Sequence, residues 1–285
     1  MNADQAVDAA ITELADFDLV VTEEAASAPP SHYLRDHRHE YVRTVRDILR
    51  TRPPGLDGEV KVLEIGAFFG AVCIALARLG YKVMAADIPE YIELPEQVER
   101  YARHGIATKG VRLENYRLPF EDESFDVLIM CEVLEHLNFN PLPLIKEINR
   151  IIKPNGLFYL SLPNFARAKN RLLMVQGKAP GVTVGEFYAQ LDPSQAVIAN
   201  GHWREYTMPE VKELLEPMGF RLQEHYYFSV GEIEQSGALR KRLGRWFYRT
   251  FPALKENQTA LAIREMRTAR TLTIPTTVHA DMGTL

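Results

Sequence analysis

The sequence predicts an α/β protein with a mostly parallel sheet, helices on both faces of that sheet and a small inserted cap. From residue 59 onward, short apolar segments rich in β-branched residues alternate with segments of helical periodicity. This alternation is typical of βαβ units, whose strands are buried on both faces. The first apolar segment runs directly into a glycine turn, "VLEIGAFFG" at residues 62–70. A strand, a tight turn and a helix in this order can hold a nucleotide-like ligand.

The composition is that of a globular protein. The chain has 285 residues, of which 46% are hydrophobic and 25% are charged. A net charge of −5 disfavours a protein that coats nucleic acid. Cys73 and Cys131 lie in apolar runs, which indicates reduced core thiols and a cytoplasmic protein. The sequence shows neither a signal peptide nor an apolar run long enough to span a membrane.

The N-terminal part of the chain is acidic. Residues 1–30 contain no Lys or Arg, and Val7, Ile11 and Leu14 follow a helical spacing. We expect an acidic N-terminal arm with one short helix, which is either solvated or docked on the rest of the protein. Residues 33–52 predict a second helix, which leads into the core and stops at two prolines.

The central part of the chain supplies seven predicted strands, each short, apolar and bounded by turn residues. They are residues 59–66, 81–87, 107–113, 125–133, 156–163, 220–230 and 258–266. Helices are predicted after Gly70 and at residues 95–104, 142–152 and 207–219, the last with a capping box between Thr207 and Glu210.

Three further segments interrupt or follow this pattern. Residues 165–205 are too long for a structureless connection and predict an inserted cap. Residues 236–252 predict a basic, aromatic-rich helix between the last two strands. The face at residues 238–251 either packs its aromatic side chains on the core, which we favour, or makes peripheral contact with an anionic membrane. Residues 267–285 predict an irregular tail.

The glycine turn and the strand ends carry the candidate binding residues. Gly66 and Gly70 permit a sharp turn and a close approach of a ligand to the backbone. Glu64, near the end of the first strand, suits a ligand that carries an ammonium group better than a pyrophosphate. Asp87, at the end of the second strand, can accept hydrogen bonds from both hydroxyls of a ribose.

These residues and motifs resemble the class I S-adenosylmethionine-dependent methyltransferases, in particular those that act on small molecules and sugars. "EIGAFFG" matches the family's acid and glycine motif, with Phe68 in place of the middle glycine. "LPF", "SFD", "EVLEH", "IKPNGLFYLSLPN" and "HWREYTMPEVKELLEPMGF" follow in the family's order, and the resemblance covers about residues 33–265. Phe68 is expected either to point away from the cofactor or to narrow its pocket.

The resemblance implies a Rossmann-like sheet of seven strands, the last of them antiparallel, in a methyltransferase domain at residues 31–266. It implies S-adenosylmethionine as cofactor and S-adenosylhomocysteine as product. It also implies a set of residues around the cofactor, with Asn115 and its neighbour at the adenine edge. The full set is Glu64, Gly66, Ala67, Phe68, Gly70, Asp87, Ile88, Glu114, Asn115 and Glu132.

The acceptor and the catalytic residues are predicted from chemistry. Methyl transfer from a sulfonium is an in-line displacement, and an alcohol acceptor needs a base. His136 and His202 are the candidate bases, although His136 can equally cap or orient its helix. We expect a small-molecule or sugar acceptor and no nucleic acid, since the fourth strand lacks the N-P-P-[YF] and Pro-Cys motifs of nucleic-acid methyltransferases. No metal site is predicted.

Two other functions remain open at this point. One is a non-catalytic binding module that kept the fold, for which Phe68 is the best support. The other is a nicotinamide-dependent oxidoreductase, which Glu64 and the missing G-x-G-x-x-G motif disfavour. The oligomeric state and the identity of the acceptor do not follow from the sequence.

Overall fold

A seven-stranded sheet lies at the centre of the protein, in a computed structural model that describes residues 1–15, 30–55, 58–185, 201–229 and 238–268. Its strand order is β3-β2-β1-β4-β5-β7-β6. The strands are β1 (Lys61–Ile65), β2 (Lys82–Asp87), β3 (Ala107–Gly110), β4 (Phe125–Cys131), β5 (Ile152–Pro163), β6 (Phe220–Phe228) and β7 (Asn257–Arg264).

The helices of the described part flank this sheet. They are α1 (Ala3–Leu14), α2 (Pro30–Asp36), α3 (Arg38–Thr51), α4 (Ala71–Arg78), α5 (Pro89–Ile92), α6 (Pro95–Ala102), α7 (Leu142–Ile151), α8 (Ala168–Val175), α9 (Met208–Leu215) and α10 (Ala238–Thr250). Short 3₁₀ turns lie at Leu113–Asn115, Leu134–His136, Glu216–Met218 and Pro252–Leu254.

The strand directions confirm the predicted fold class. β1 pairs in parallel with both β2 and β4, and β3 and β5 extend the parallel part. β7 is antiparallel to both β5 and β6. The chain order reverses between β1 and β4, and ligands of open α/β sheets bind beyond the carboxyl ends of the strands at such a point.

The two faces of the sheet are buried in two separate apolar clusters. Along β4, Val127 and Ile129 belong to the cluster that includes the buried sides of α1, α3 and α4. Leu128 and Met130 belong to the other cluster, with α7 and α9. Successive side chains of a strand point to opposite faces, so helices cover both faces, as the near-continuous apolar strands predict.

The N-terminal helix is part of the core rather than a solvated element. In α1, Ala6, Val7 and Leu14 are fully buried, and Asn2 caps the helix through a capping box with Gln5. Its acidic face also has a basic neighbour, since Arg38 on α3 donates hydrogen bonds to Asp8. Of the two alternatives for the acidic arm, the described residues therefore adopt the docked one, and residues 16–29 lie outside the described part.

The other segments are described in part. The expected cap at residues 165–205 begins with α8, and its residues 186–200 lie outside the described part. Most of the expected tail at residues 267–285 lies outside it as well. A helix, α10, occupies the place predicted for the basic helix. No helix among the described residues is long and apolar enough to cross a membrane.

Candidate active site

The glycine turn joins β1 to α4 and needs its two glycines. Gly66 has φ +77° and Gly70 has φ +85°, in the left-handed region that side chains rarely adopt. A Cβ at residue 66 would collide with the side chain of Val133, and one at residue 70 would lie 2.6 Å from Cε1 of Tyr101. The turn is therefore packed against the end of β4 on one side and against α6 on the other.

Phe68 adopts a glycine-like conformation at the position where the family has its middle glycine. Its φ of +45° is unusual for a bulky residue, and such strain persists only where surrounding contacts hold it. The Phe68 ring packs against three aromatic rings, those of Phe69 at 3.9 Å, Tyr33 at 5.5 Å and Tyr91 at 5.7 Å between centroids. The ring is thus held in an aromatic cluster formed with α2 and α5.

Asp87 ties the turn to the end of β2. Its Oδ2 accepts a hydrogen bond from the backbone N–H of Phe68 at 2.8 Å, and its Oδ1 accepts one from that of Ile88 at 2.8 Å. Burial raises the pKa of Asp87, and these two hydrogen bonds oppose that rise. Each carboxylate oxygen can accept a second hydrogen bond, so Asp87 can still take two hydroxyl donors.

Glu64 is a buried carboxyl group without a cationic partner among the described residues. It is 6% exposed and accepts a hydrogen bond from Sγ of Cys73 at 2.8 Å. Burial raises its pKa to about 7. A buried carboxyl group in this state gains most from a ligand that brings its own positive charge.

The residues expected at the adenine end are exposed. Ile88 is 36% exposed, and Glu114 and Asn115 lie on the 3₁₀ turn after β3. The end of β3 adjoins that of β2, because the N–H of Val111 donates to the carbonyl of Asp87 at 2.8 Å. The structure therefore places these three residues around one edge of the sheet.

A pair of acidic side chains lies at the end of β4. Glu132 adopts φ +51°, and Glu135 follows on the turn Leu134–His136 with its side chain fully buried. Oε1 of Glu132 and both carboxyl oxygens of Glu135 are buried and accept no hydrogen bond of ordinary geometry from the described residues. Burial, followed by the charge of Glu135, raises the pKa of Glu132, and burial also raises the pKa of Glu135.

The two candidate catalytic histidines meet beside this acidic pair. The rings of His136 and His202 lie 5.0 Å apart between centroids and are nearly perpendicular. One ligand atom from each of Glu135, His136 and His202 lies within 4.8 Å of those of the other two. Both histidines were predicted as candidate bases from separate parts of the sequence, and the fold brings them together with Glu135.

The carboxylate of Glu205 orients the ring of His202. Its Nδ1 lies 3.0 Å from Oε1 of Glu205, and Glu205 also accepts hydrogen bonds from Arg167 at 2.8 Å and Asn170 at 3.0 Å. Burial opposes the ionisation of Glu205, but these hydrogen bonds prevail and lower its pKa to about 2. The hydrogen bond to Glu205 in turn raises the pKa of His202.

Sequence reasoning did not single out Glu135, Glu205 or Arg167. Two signals could have found the acids: "EVLEH" contains a second glutamate next to His136, and "HWRE" places an acid three residues after His202. No metal site was expected from the sequence, because no paired His and Asp ligands are evident in it. The cluster at the end of β4 draws on two distant segments instead.

Comparison with known proteins identifies a methyltransferase domain. Residues 63–160 match the family of methyltransferase domains. These residues contain a methyltransferase domain, and the chain is an S-adenosylmethionine-dependent methyltransferase. It is thus an enzyme with S-adenosylmethionine as its cofactor, as the sequence motifs predicted. This finding excludes both alternatives, the nicotinamide-dependent oxidoreductase and the non-catalytic binding module.

Curated relatives and solved structures agree with this methyltransferase assignment. The chain is 28% identical over 203 residues to a ubiquinone biosynthesis O-methyltransferase of Xanthomonas axonopodis, which covers 68% of this chain and 73% of the relative. It is 33% identical over 159 residues to the enzyme of that name from Maricaulis maris, over 50% of this chain and 59% of the relative.

Two solved structures share the fold. One belongs to a complex between a Haloferax volcanii methyltransferase activator and a methyltransferase, with a TM-score of 0.55, 18% identity, and coverage of 87% of this chain and 100% of that one. The other is an S-adenosylmethionine-dependent methyltransferase from Archaeoglobus fulgidus, with a TM-score of 0.50, 16% identity, and coverage of 81% and 99%.

Proposed function

We propose that this methyltransferase transfers the methyl group of S-adenosylmethionine to a hydroxyl oxygen of a small molecule at the carboxyl end of β4. The observation that carries the proposal is the convergence of three features at adjacent strand ends. These are the glycine turn after β1, Asp87 at the end of β2, and the pair of His136 and His202 beyond β4. The relatives named ubiquinone biosynthesis O-methyltransferases support an oxygen acceptor, and we propose a phenolic hydroxyl as that acceptor.

A carboxylate would hold the cofactor at each of two places, Glu64 at its methionine part and Asp87 at its ribose. The buried carboxylate of Glu64 would face the ammonium of the methionine part, which removes the cost of an isolated buried charge. The second lone pairs of Asp87 would accept the ribose hydroxyls. Ile88, Glu114 and Asn115 would lie at the adenine, and the backbone of the turn from Gly66 to Gly70 would lie against the methionine part.

The reaction itself needs alignment and an activated oxygen. The acceptor oxygen attacks the methyl carbon opposite the sulfur, the carbon–sulfur bond breaks, and the hydroxyl proton is released as the ether forms. His136 and His202, whose rings lie 5.0 Å apart between centroids, would lie beside this oxygen, and one of them would accept the hydroxyl proton. A phenol needs less activation than an alcohol because its pKa is lower.

The inserted segment is well placed to cover the acceptor. Its two ends meet, because Arg167 and Asn170 near its start hydrogen-bond to Glu205 at its end. A β-bridge between Asn164 and Tyr206 fixes this junction next to β5. The segment between these ends therefore starts and finishes beside His202, and we assign to it the choice of acceptor.

The test is a methyl-transfer assay with a panel of small phenols, catechols and sugars, with the product detected by mass spectrometry. We expect methylation of a phenolic member by the native chain. His136→Asn should reduce kcat and leave the affinity for S-adenosylhomocysteine unchanged, because His136 would touch the acceptor and not the cofactor. Methylation of sugars alone, or an unchanged kcat in the variant, would contradict the proposal.

We also propose peripheral contact of α10 with an anionic membrane surface, which would suit an acceptor with an apolar tail. Trp246 is 64% exposed and Phe251 is 48% exposed, so the aromatic side chains are not all packed on the core. Arg242 and Arg249 are exposed on the same helix. Exposed aromatic and basic side chains together are typical of helices that lie on membranes.

A further inference from the structure

We propose that Arg43 on α3 binds an acid group of the acceptor, so that the enzyme prefers phenols that carry a carboxylate on a side chain. The inference rests on the proposed function for the reacting hydroxyl. The anion site itself rests on the contacts of Arg43 and on its place at the end of β6. Arg43 would select the acceptor by its charge, alongside the inserted segment.

The guanidinium of Arg43 is stacked on an aromatic ring. Its Cζ lies over the ring of Phe228, 3.7 Å from the ring centroid. An arginine stacked in this way presents its N–H groups at the edge of the guanidinium plane, where they can bind an anion. Nη1 of Arg43 is shielded from solvent and has no hydrogen-bond partner among the described residues. The stacking therefore orients a set of donors without satisfying them.

Arg43 differs from the other arginines of α3 because it has no acidic partner. Arg38 and Arg46 form ion pairs with acids of α1, and Arg50 forms one with Glu224. No carboxylate of the described residues lies within 4.0 Å of the Arg43 guanidinium. A half-buried guanidinium without an anion is costly, since it loses contacts with water and gains no partner in exchange. An added anion would remove this cost.

The register of the sheet places the stacking ring at the edge where the acceptor would bind. Phe228, the last residue of β6, pairs with Asn257, which pairs with Pro163 at the end of β5. β5 in turn pairs with β4 as far as Cys131, the residue before Glu132. The ends of β4, β5 and β6 therefore lie along one edge of the sheet, and Arg43 is stacked at that edge.

Helix α3 connects the two ends of this region. Oγ1 of Thr44 lies 3.9 Å from Sγ of Cys131 and donates a hydrogen bond to the hydroxyl of Tyr159 at 3.4 Å. The preceding residue, Arg43, contacts Phe228. Two consecutive residues of one helix thus contact the end of β4, where the histidine pair follows, and the end of β6.

The strand order assigns this anion to the acceptor and not to the cofactor. Glu64 and Asp87 belong to β1 and β2, on one side of β4, whereas β6 lies on the other side beyond β5 and β7. Neighbouring strands are about 4.8 Å apart, so β6 lies about 19 Å from β1 and about 14 Å from β4. The acid group would therefore be carried on a side chain of the acceptor, away from the reacting hydroxyl. A planar guanidinium matches the two oxygens of one carboxylate in a bidentate pair.

The experiment uses a matched pair of probes, 4-(3,4-dihydroxyphenyl)butanoate and its primary amide, which differ in charge and hardly in size. Their affinities for the full chain are measured by calorimetry, with and without S-adenosylhomocysteine. We expect the native chain to bind the acid at least about tenfold more tightly than the amide, because hydrogen bonds to charged groups are stronger than neutral ones. In a methyl-transfer assay the same difference should appear in KM and not in kcat.

Two variants and one control locate the anion site. Arg43→Met keeps a long side chain on Phe228 without the charge, and it should lose the preference for the acid. Arg43→Lys keeps the charge without the planar fork, and it should retain part of the preference. Arg46→Met is the control, because Arg46 is an exposed arginine of the same helix that pairs with Asp4. It should prefer the acid as the native chain does.

The unfolding temperature without ligand separates this role from a structural one. Arg43→Met removes a half-buried charge that has no partner, so the variant should unfold at a temperature no lower than that of the native chain. If Arg43 only stabilised the fold by stacking on Phe228, the variant would unfold at a lower temperature and would still prefer the acid.

Several outcomes would overturn the proposal. They are equal binding of acid and amide by the native chain, binding of neither probe, an acid preference that Arg43→Met retains, and an acid preference that Arg46→Met loses equally. Methylation of both probes with the same KM would overturn it and leave the proposed function standing. An acid preference that depends on Arg43, without methylation of either probe, would support it and contradict the proposed function. If Arg43→Met fails to fold, Arg43→Lys and Arg43→Gln decide the matter.

Discussion

Binding of the cofactor product should release a proton from Glu64. This carboxyl group is 6% exposed, and burial raises its pKa to about 7 from an ordinary value of 4.5. The ammonium of S-adenosylhomocysteine, placed beside it, should return the pKa toward its ordinary value. The fraction of Glu64 that is protonated would then fall on binding by about 0.9 at pH 6 and by about 0.1 at pH 8.

The assay is isothermal titration calorimetry with S-adenosylhomocysteine in pairs of buffers that differ in their enthalpy of ionisation. The dependence of the apparent binding enthalpy on the buffer gives the number of protons released. We expect close to one proton at pH 6 for the native chain and far fewer at pH 8. Glu64→Gln serves as the control, because an amide of the same shape cannot release a proton.

The same pKa has a consequence for stability without ligand. Because the pKa of Glu64 is raised in the folded state, the free energy of unfolding includes a contribution from the protonated carboxyl group. This contribution is fully present below pH 4.5 and is lost as the pH rises to about 7. That loss amounts to roughly 3 kcal/mol, which Glu64→Gln should remove, so the variant should unfold with a flatter pH dependence. Equal proton release by the variant and the native chain at pH 6, or none by either, would refute the assignment of Glu64 to the ammonium.

Three more predictions concern other parts of the chain. Gly66→Ala should abolish cofactor-product binding in calorimetry, because its Cβ would collide with Val133 and its φ is +77°; unchanged affinity would show that the turn is not closely packed. Leu14→Ala, at a fully buried position of α1, should lower the free energy of unfolding in urea by about 2–5 kcal/mol, whereas a loss below about 1 kcal/mol would mean that α1 is only loosely docked. Co-sedimentation with anionic liposomes should fall when the basic residues of α10 become alanine, and equal sedimentation would remove the membrane proposal. Those residues are Arg240, Lys241, Arg242 and Arg245.

The sheet could be predicted because its strands are encoded locally. The central parallel strands β1, β2 and β4 are short runs rich in apolar residues, and burial on both faces leaves few other structures for such runs. The capping box at the start of α9 could also be predicted from the sequence, and in the structure the N–H of Thr207 donates a hydrogen bond to Glu210 at 2.8 Å. The antiparallel direction of the last strand came from the family resemblance and not from any local pattern.

The docking of α1 and the conformation of Phe68 were harder to predict. The spacing of Val7, Ile11 and Leu14 marks an apolar face, but a spacing does not say what covers that face. The basic partner of the acidic helix, Arg38, lies on a different helix. Phe68 keeps a glycine conformation through contacts from α2 and α5, which no pattern around residue 68 reveals.

The candidate site was predictable where it follows strand ends and not where it depends on tertiary contacts. Glu64 and Asp87 stand at positions that the strands themselves define. The meeting of His136 with His202 depends on how the inserted segment returns to β5, through the bridge of Asn164 with Tyr206. The burial of Glu135 beside these histidines is likewise a tertiary feature, which no local pattern in the sequence reveals.

We propose above all that the turn at Gly66–Gly70 and Asp87 bind S-adenosylmethionine. The most direct test is a calorimetric titration of the full chain with S-adenosylmethionine, S-adenosylhomocysteine and NAD. Asp87→Ala is compared with Asp122→Ala, which removes a surface carboxylate paired with Arg150. Micromolar binding of the first two ligands, lost in Asp87→Ala and kept in Asp122→Ala, is the predicted result; no binding of either ligand, or equal binding by both variants, would contradict it.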